Sequence, residues 1–595
     1  MNLLSKEKRG LLFGNEAIVR GALESGVSFI STYPGTPASE IGDGFAKIAK
    51  EAGIYFEYST NEKTALESAA GAAFSGMKTI FSTKHYGMNV AADSLLPLVT
   101  FGCPLVIAVA DDPGSWSSVQ AEQDSRHYSR FAKIPTFEPS DSQEAKDMTK
   151  LAFELVDKYK IPIMLRLTTR ICYGKSPVSL GAVKKGNSKG VFKKGWFKLG
   201  TQETIERHKK ILGIISKLRE FSEKSNLNFI EKGEGRTGII TSGISYSYAK
   251  EAMSELGINL PLLKIGFSYP LPENKIKDFA KNLDKIIVIE ELDPILENEV
   301  KRITGKDVHG KDIFPETGEL KPEYVLEGIA KIMNKEAKKY PEISAPKRAP
   351  LFCAGCPHRS TFYAVEKTLG KGKIYGGDIG CYMLGAYPPY EIHDWIVSMG
   401  ASVGIGHGVS KATNEKVVVF LGDSTFFHAG IPALLGMVYN NANALIIVQD
   451  NRLTAMTGHQ PNPGTGWTGM GEPSKIVSIE GIAKACQVDF VKTSSVWNYN
   501  QLCKDIQECY DRKGVSVLVA KGECKLFTIR NLAKEGKDWP RFEVTKQNPK
   551  LNELAKFNCP AIRKEKGKWL IDKKLCWGCT VCKQLFPDCI EVAKQ

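Results

Sequence analysis

The chain has 595 residues, 42% of them hydrophobic and 25% charged, which is a soluble globular composition too long for one core, so about three to five domains are expected. Lys and Arg number 80 against 66 Asp and Glu, a net charge of +14. No nucleic-acid motif or aromatic-basic stripe accompanies that surplus, so it reads as a solvated basic surface, one that would also steer an acidic electron carrier.

In chain order, Val27 to Thr32 reads as a strand ending in the turn Tyr33-Pro34-Gly35-Thr36-Pro37. An amphipathic segment to Ala52, a strand from Ile54 to Tyr58 and a helix from Glu62 to Ser75 follow, then strands at Lys78 to Ser82, Leu105 to Ala110 and Pro162 to Leu167. This alternation predicts one doubly wound α/β domain over 1–184. Residues 185–235, rich in Lys, Gly and Ser, are expected to be a spacer with a helix-like stretch from Glu203 to Glu223. A further α/β domain over 236–340 starts near Gly238-Ile239-Ile240 and includes the strand Lys285 to Ile289. The Lys- and Pro-containing stretch from Lys335 to Pro350 separates it from a domain over 350–540. There the apolar runs Val417 to Leu421 and Ala444 to Val448 flank a helix-like Gly430 to Tyr439, a βαβ unit. The pattern stops near 540, leaving a Cys-rich tail over 541–595.

The charged start from Met1 to Gly10 lacks the apolar core of a signal peptide, and no stretch stays uncharged long enough to cross a bilayer. A cytoplasmic protein that binds neither membrane nor nucleic acid is expected. The chain has 14 cysteines; Cys-x-x-Cys spacing in a large chain without a leader favours metal over disulfide.

Gly422-Asp423-Ser424 follows the first strand of the βαβ unit and Asp450-Asn451 follows the second. Two hard oxygen ligands at neighbouring carboxyl ends of parallel strands suit a Mg²⁺ that also holds a diphosphate. A Gly-Asp-Ser alone is equally an ordinary turn after a strand; the Asn at the next strand end is what separates the two readings.

Several blocks carry a resemblance: Tyr33-Pro34-Gly35-Thr36-Pro37, Asn61-Glu62-Lys63-Thr64-Ala65-Leu66-Glu67, Lys84-His85-Tyr86-Gly87-Met88-Asn89, Cys353-Ala354-Gly355-Cys356-Pro357-His358-Arg359, Gly422-Asp423-Ser424-Thr425-Phe426-Phe427-His428 and Thr454-Ala455-Met456-Thr457-Gly458-His459-Gln460. Together they resemble the alpha subunit of indolepyruvate ferredoxin oxidoreductase, in the thiamine diphosphate-dependent 2-oxoacid:ferredoxin oxidoreductase superfamily. The likeness spans nearly the whole chain. It implies a pyrimidine-binding domain, a transketolase C-terminal-like domain, a diphosphate and Mg²⁺ domain and a ferredoxin-like tail.

It further implies that Glu62 exchanges a proton with the aminopyrimidine of thiamine diphosphate, although a helix-start acid after Asn61 needs no such role. Gly422, Asp423, Ser424, Asn451 and the carbonyl near Leu453 are expected around the diphosphate, with Asp423 and Asn451 as Mg²⁺ ligands. Thr36 resembles the position that touches the oxoacid, and Arg126 or Arg130 is expected to bind its carboxylate, a partner that suits a guanidinium.

Cys353, Cys356, Cys381 and Cys524 are similar in order and surroundings to the ligands of the 4Fe–4S cluster beside the thiamine; buried apolar cysteines, or zinc with His358, are the other readings. In the tail, a two-cluster ferredoxin would repeat Cys-x₂-Cys-x₂-Cys-x₃-Cys-Pro with crossed fourth ligands. Cys576, Cys579 and Cys582 survive from one repeat and Cys559-Pro560 from the other, which leaves one full 4Fe–4S set; Cys589 is free or replaces Cys559, and zinc is the alternative.

The implied activity is the oxidative decarboxylation of an arylpyruvate such as indolepyruvate to acyl-CoA and CO₂ in anaerobic metabolism, with ferredoxin as acceptor and a smaller beta subunit in an (αβ)2 complex. A non-oxidative decarboxylase or carboligase with a structural metal tail, and a catalytically silent scaffold, are the competing expectations.

Overall fold

The computed structural model describes residues 3–194, 200–341, 343–346 and 348–594; the remaining positions of the expected spacer, of the 335–350 linker and of both chain ends lie outside the described residues. Two compact units divide the chain, Met1–Ile343 and Ser344–Gln595.

The first unit is built on a seven-stranded sheet. Its strands run, edge to edge, Phe267–Tyr269, Thr136–Phe137, Ile163–Thr168, Val106–Asp111, Thr79–Lys84, Phe29–Thr32 and Tyr55–Tyr58. All pair in parallel except Phe267–Tyr269. Every residue of Val106–Asp111 and of Ile163–Thr168 is buried, as expected of central parallel strands covered on both faces. The helix Glu62–Phe74 is capped by the Asn61 side chain, which accepts from the Thr64 amide at 2.9 Å, and buries Ala65, Ala69, Ala70 and Ala73. Those small residues let it lie close to the helix His85–Phe101.

A second sheet orders Val308–His309, Lys285–Ile289, Thr237–Ser242, Leu262–Ile265 and Asn228–Glu231, the last antiparallel. Two sequence boundaries need revision. The spacer expected at 185–235 supplies both a long helix, Thr201–Lys224, and the sheet-edge strand Asn228–Glu231. The 236–340 domain lends Phe267–Tyr269 to the edge of the first sheet, a strand too short to carry a periodic signal.

In the second unit a parallel sheet runs Tyr375–Gly376, Val417–Gly422, Ala444–Asp450, Val515–Lys521 and Phe490–Ser495. Gly422 lies opposite Gln449 and Asp450 opposite Lys521, so the loops at Asp423, Asn451 and Cys524 leave the same end of three adjacent strands. The helix expected from Gly430 starts earlier: the turn Asp423–Thr425 passes through a π-helical turn, Phe426–Gly430, into Ile431–Tyr439. The tail folds onto this sheet domain. Phe542, Leu551, Phe557 and Ile590 share one core with Phe352, Phe362 and Tyr363, and Tyr390 donates its hydroxyl to the Phe557 carbonyl at 3.1 Å.

Candidate functional site

Asp423 is buried at the strand end, and its Oδ1 accepts from the Ser424 amide at 2.7 Å while Oδ2 makes no hydrogen bond. Burial and the neighbouring Asp450 carboxylate both push the Asp423 carboxyl upward; the Ser424 amide and Asn462 pull it partly back. Two carboxylates thus meet at adjacent strand ends, Asp450 with Lys521 and Arg452 as cationic neighbours and Asp423 with an idle oxygen. Asn451 donates through Nδ2 to His358 Nε2 at 3.2 Å, and its Oδ1 accepts from the Leu453 amide at 3.0 Å. Arg452, in the left-handed region at φ 65°, makes the sharp turn between them. Among the described residues no three His, Cys, Asp or Glu side chains are grouped to hold a single metal ion. An ion held at Asp423 and Asn451 would have few protein oxygens, the rest of its shell coming from phosphate and water. A cavity of about 230 Å³ opens beside Asn451, lined by Leu453, Trp467, Cys524 and Phe527 among others. The rings of Trp467 and Phe527 stack at 6.2 Å.

Among the described residues no three cysteines are grouped to hold a metal ion, but members of each set expected from spacing influence one another electrostatically. Burial raises the Cys381 thiol, and Cys356, Cys524, Cys353 and Asp423 add to that through their charges; the first set is therefore a neighbour of the Asp423 carboxylate. Cys356 is pushed up to about 12 by burial against the lowering field of Arg359. In the tail, burial pushes Cys579 up to about 11, with Cys559 and Cys576 adding to it, and Cys582 is raised by burial together with Cys579, Cys559 and Cys576. Cys589 is buried in the same core but does not figure among these mutual influences. Cys381 is tied to the loop after Asp423 through the adjacent Tyr382, whose hydroxyl donates to the Ile379 carbonyl at 2.6 Å and lies 2.8 Å from Thr425 Oγ1. Asp378, pushed up to about 6 by burial, receives the Gly400 and Ser402 amides at 2.9 Å each.

In the first unit Glu62 opens its helix and is 4% exposed. It lies so near Gly87 that a Cβ there would come within 2.7 Å of Glu62 Oε1, so glycine is required by close approach. Thr36 is half-buried, and its carbonyl accepts from Ser117 Oγ at 3.1 Å. Neither arginine expected at the oxoacid carboxylate is available to it. Arg126 is buried: it donates to Asp124 and Glu290, each at 2.6 Å, and to the Glu291 and Asp293 carbonyls. Arg130 pairs with Glu299 at 3.1 Å and lines a cleft with Arg219, Tyr269 and Arg302. The cation against the Thr36 turn is Lys84, whose Cγ would lie 2.9 Å from a Cβ on Gly35. Burial lowers its pKa, while Glu62 and Asp112 act to raise it. The sequence signal for Lys84 was its place at the end of a buried strand, beside a turn already singled out.

Residues 378–520 match the family described as thiamine pyrophosphate enzyme, C-terminal TPP binding domain. Residues 20–184 match the thiamine diphosphate-binding domain of pyruvate flavodoxin/ferredoxin oxidoreductase, and 228–349 match the indolepyruvate oxidoreductase domain. The indolepyruvate oxidoreductase subunit IorA of Thermococcus kodakarensis is 42% identical over 99% of this chain and 98% of its own. That of Pyrococcus horikoshii is 41% identical over 97% and 96%. The chain belongs to the IorA family. This alpha-subunit family comprises thiamine diphosphate-dependent 2-oxoacid ferredoxin oxidoreductases. Among solved structures, 2-oxoglutarate:ferredoxin oxidoreductase from Magnetococcus marinus is 17% identical, with a TM-score of 0.47 over 55% of this chain and 65% of that one. Within this IorA-family chain the two thiamine matches take in Thr36, Glu62 and Lys84 on one side and Cys381, Asp423 and Asn451 on the other.

Proposed function

We propose that the chain is the catalytic subunit of an oxidoreductase that converts an arylpyruvate such as indolepyruvate, with coenzyme A, to acyl-CoA, CO₂ and a proton, passing two electrons singly to ferredoxin. The observation that carries the reading is that Cys381 has Cys353, Cys356, Cys524 and Asp423 as its electrostatic neighbours. Redox-active ligands thus adjoin the place where a diphosphate would be bound, which a non-oxidative decarboxylase has no use for.

Bound thiamine diphosphate would supply the electron sink on which the carboxylate is lost. Asp423 and Asn451 would hold its Mg²⁺, with Gly422, Ser424 and the Leu453 carbonyl lining the diphosphate. Glu62, buried at a helix start, would hold and return the proton at the pyrimidine. Thr36 would orient the oxoacid, with Lys84 in place of either arginine as the cation for its carboxylate. The aromatic walls at Trp467 and Phe527 suit an aryl side chain. Cys353, Cys356, Cys381 and Cys524 would ligate one 4Fe–4S cluster, and Cys559, Cys576, Cys579 and Cys582 a second. The relatives are named as subunits, which supports a partner subunit; the assembly proposed with it is (αβ)2. A cytoplasmic location accords with the fact that, among the described residues, no helix is long and apolar enough to cross a membrane.

The test is anaerobic turnover of the purified complex on a panel of 2-oxoacids with coenzyme A and a dye acceptor, beside iron and sulfide analysis. Glu62→Gln should lower kcat about 100-fold or more with KM little changed. Lys84→Met should raise KM for the oxoacid about tenfold or more, with Lys84→Arg recovering most of it. Aldehyde formation without an acceptor by an iron-free protein would overturn the proposal.

A further inference from the structure

Four neighbouring strands of the first sheet, Phe29–Thr32, Thr79–Lys84, Val106–Asp111 and Ile163–Thr168, run parallel and end on one side. Open α/β sheets present side chains to ligands at the carboxyl ends of such strands. Asp112 directly follows the third strand and is 1% exposed, yet it takes no part in the chemistry above. Its Oδ2 accepts from the Ser117 amide at 2.8 Å, the Ser117 hydroxyl at 2.8 Å and the Ser118 amide at 3.1 Å, and its Oδ1 from the Thr169 hydroxyl at 2.9 Å. Four donors converging on one side chain suit an ionised carboxylate, which accepts only.

These bonds hold a loop in a conformation it would not keep alone. Ser115 and Val119 both sit at φ 49°, in the left-handed region that a β-branched residue rarely enters and that persists only where the surroundings impose it. Between them, the Ser117 hydroxyl is shared by Asp112 and the Thr36 carbonyl, 3.1 Å away, and Lys84 Nζ reaches Ser118 Oγ at 3.5 Å. Thr36 and Lys84 are thus each one hydrogen bond from the loop that Asp112 anchors. The charged neighbours of Lys84 are Glu62 and Asp112, and its Nζ lies 5.4 Å from the centre of the Tyr86 ring.

We propose that Asp112 is a positioning residue for the oxoacid: through Ser117 it fixes the turn at Thr36, and through Ser118 it fixes the Lys84 ammonium, so that both meet the one carboxylate of the substrate. The inference rests on the substrate role given above to Thr36 and Lys84. Asp112 acts through those residues, keeps its negative charge and moves no proton. Because the arrangement is in place before the substrate arrives, it serves ground state and transition state alike, and its loss falls on KM rather than kcat. A role confined to bracing the fold would act the same whether or not Lys84 were present.

The experiment is steady-state kinetics of the full chain with its beta subunit, on the 2-oxoacid turned over best, with coenzyme A and a dye acceptor. Asp112→Ala releases both serines and should raise KM for the oxoacid about tenfold, with kcat within about threefold of native. Added to Lys84→Met it should raise KM by no more than about threefold further, since both substitutions disable the same cation. Asp112→Asn keeps an oxygen for the serines and turns its amide to the Thr169 hydroxyl, which can accept, so that only the charge is lost. Asp112 acts to raise the Lys84 pKa against burial, and a neutral lysine no longer draws the substrate's carboxylate. The rise of KM with pH should therefore begin at a lower pH in Asp112→Asn than in the native complex. Should Asp112→Ala fail to assemble, Asp112→Asn carries the test together with Ser117→Ala, which should raise KM about threefold. A KM for Asp112→Ala within about twofold of native, full additivity with Lys84→Met, or an unmoved pH limb in Asp112→Asn overturns the inference and leaves the reading of Lys84 intact. An unchanged KM in Lys84→Met alone overturns that reading instead, and the inference with it.

Discussion

In the Met1–Ile343 unit, Arg126 and Arg166 each have two carboxylates within 2.9 Å, Asp124 and Glu290 for the first, Asp111 and Glu138 for the second. In the Ser344–Gln595 unit, Asp423 has another carboxylate for its charged neighbour, and Arg359 has carbonyls and thiols. Both arginines of the first group are paired within the fold, so they act as frame. The second has no such direct pairing: burial and Asp450 push the Asp423 carboxyl upward, and Arg359 is served by carbonyls, which a folded chain tolerates where a ligand brings a partner.

That contrast is open to direct attack by substitution. Arg126→Gln strips the cation from buried Asp124 and Glu290 and should cost about 3 to 5 kcal/mol of stability in denaturant titration of the first unit's transition. Asp423→Asn should do the reverse in the ligand-free protein, because it removes like-charge repulsion from Asp450, and should at the same time abolish Mg²⁺-dependent stabilisation by thiamine diphosphate. If Asp423→Asn destabilises the ligand-free chain as severely as Arg126→Gln does, the distinction between frame and vacancy collapses.

The same contrast explains what could be read from sequence. The parallel strands were legible because buried apolar runs such as Val417 to Leu421 announce themselves locally, and their lengths were right to within a few residues. The placing of Asp423 and Asn451 at the ends of adjacent strands was legible because each directly follows such a run. Arg126 was misassigned since its partner Glu290 lies 164 residues away, and nothing near a lone arginine in sequence tells a guanidinium already neutralised from one awaiting substrate. Arg359 stood in plain view within Cys356-Pro357-His358-Arg359, yet its neighbour Phe557 is brought to it only by the folding of the tail onto the sheet domain.

A third way of handling buried charge, declining to carry it, gives the smallest effect and sharpens the comparison further. His393 is packed edge-on between Phe362 and Phe420, with ring centroids 5.2 and 5.4 Å away. Its Nε2 is placed to donate to the Tyr382 carbonyl at 3.2 Å, and Nδ1 is buried without a partner. Burial holds its pKa down to about 4, with Tyr382 and Asp394 pulling the other way. A base whose folded pKa is lowered costs nothing above its unfolded pKa of about 6.5. As pH falls below that value the unfolded chain takes up a proton that the folded chain refuses, so stability is lost until pH passes the folded pKa. At pH 5 the penalty is about 2 kcal/mol. Denaturant midpoints of the second unit should therefore fall between pH 7 and pH 4.5, and His393→Asn should flatten that fall by about one proton's worth of slope. His358, held to about 4 by burial as well, would keep a residual slope in the variant. An unchanged slope in His393→Asn would mean that the ring takes up its proton in the folded state, and that this unit's interior accepts uncompensated charge with no ligand at hand.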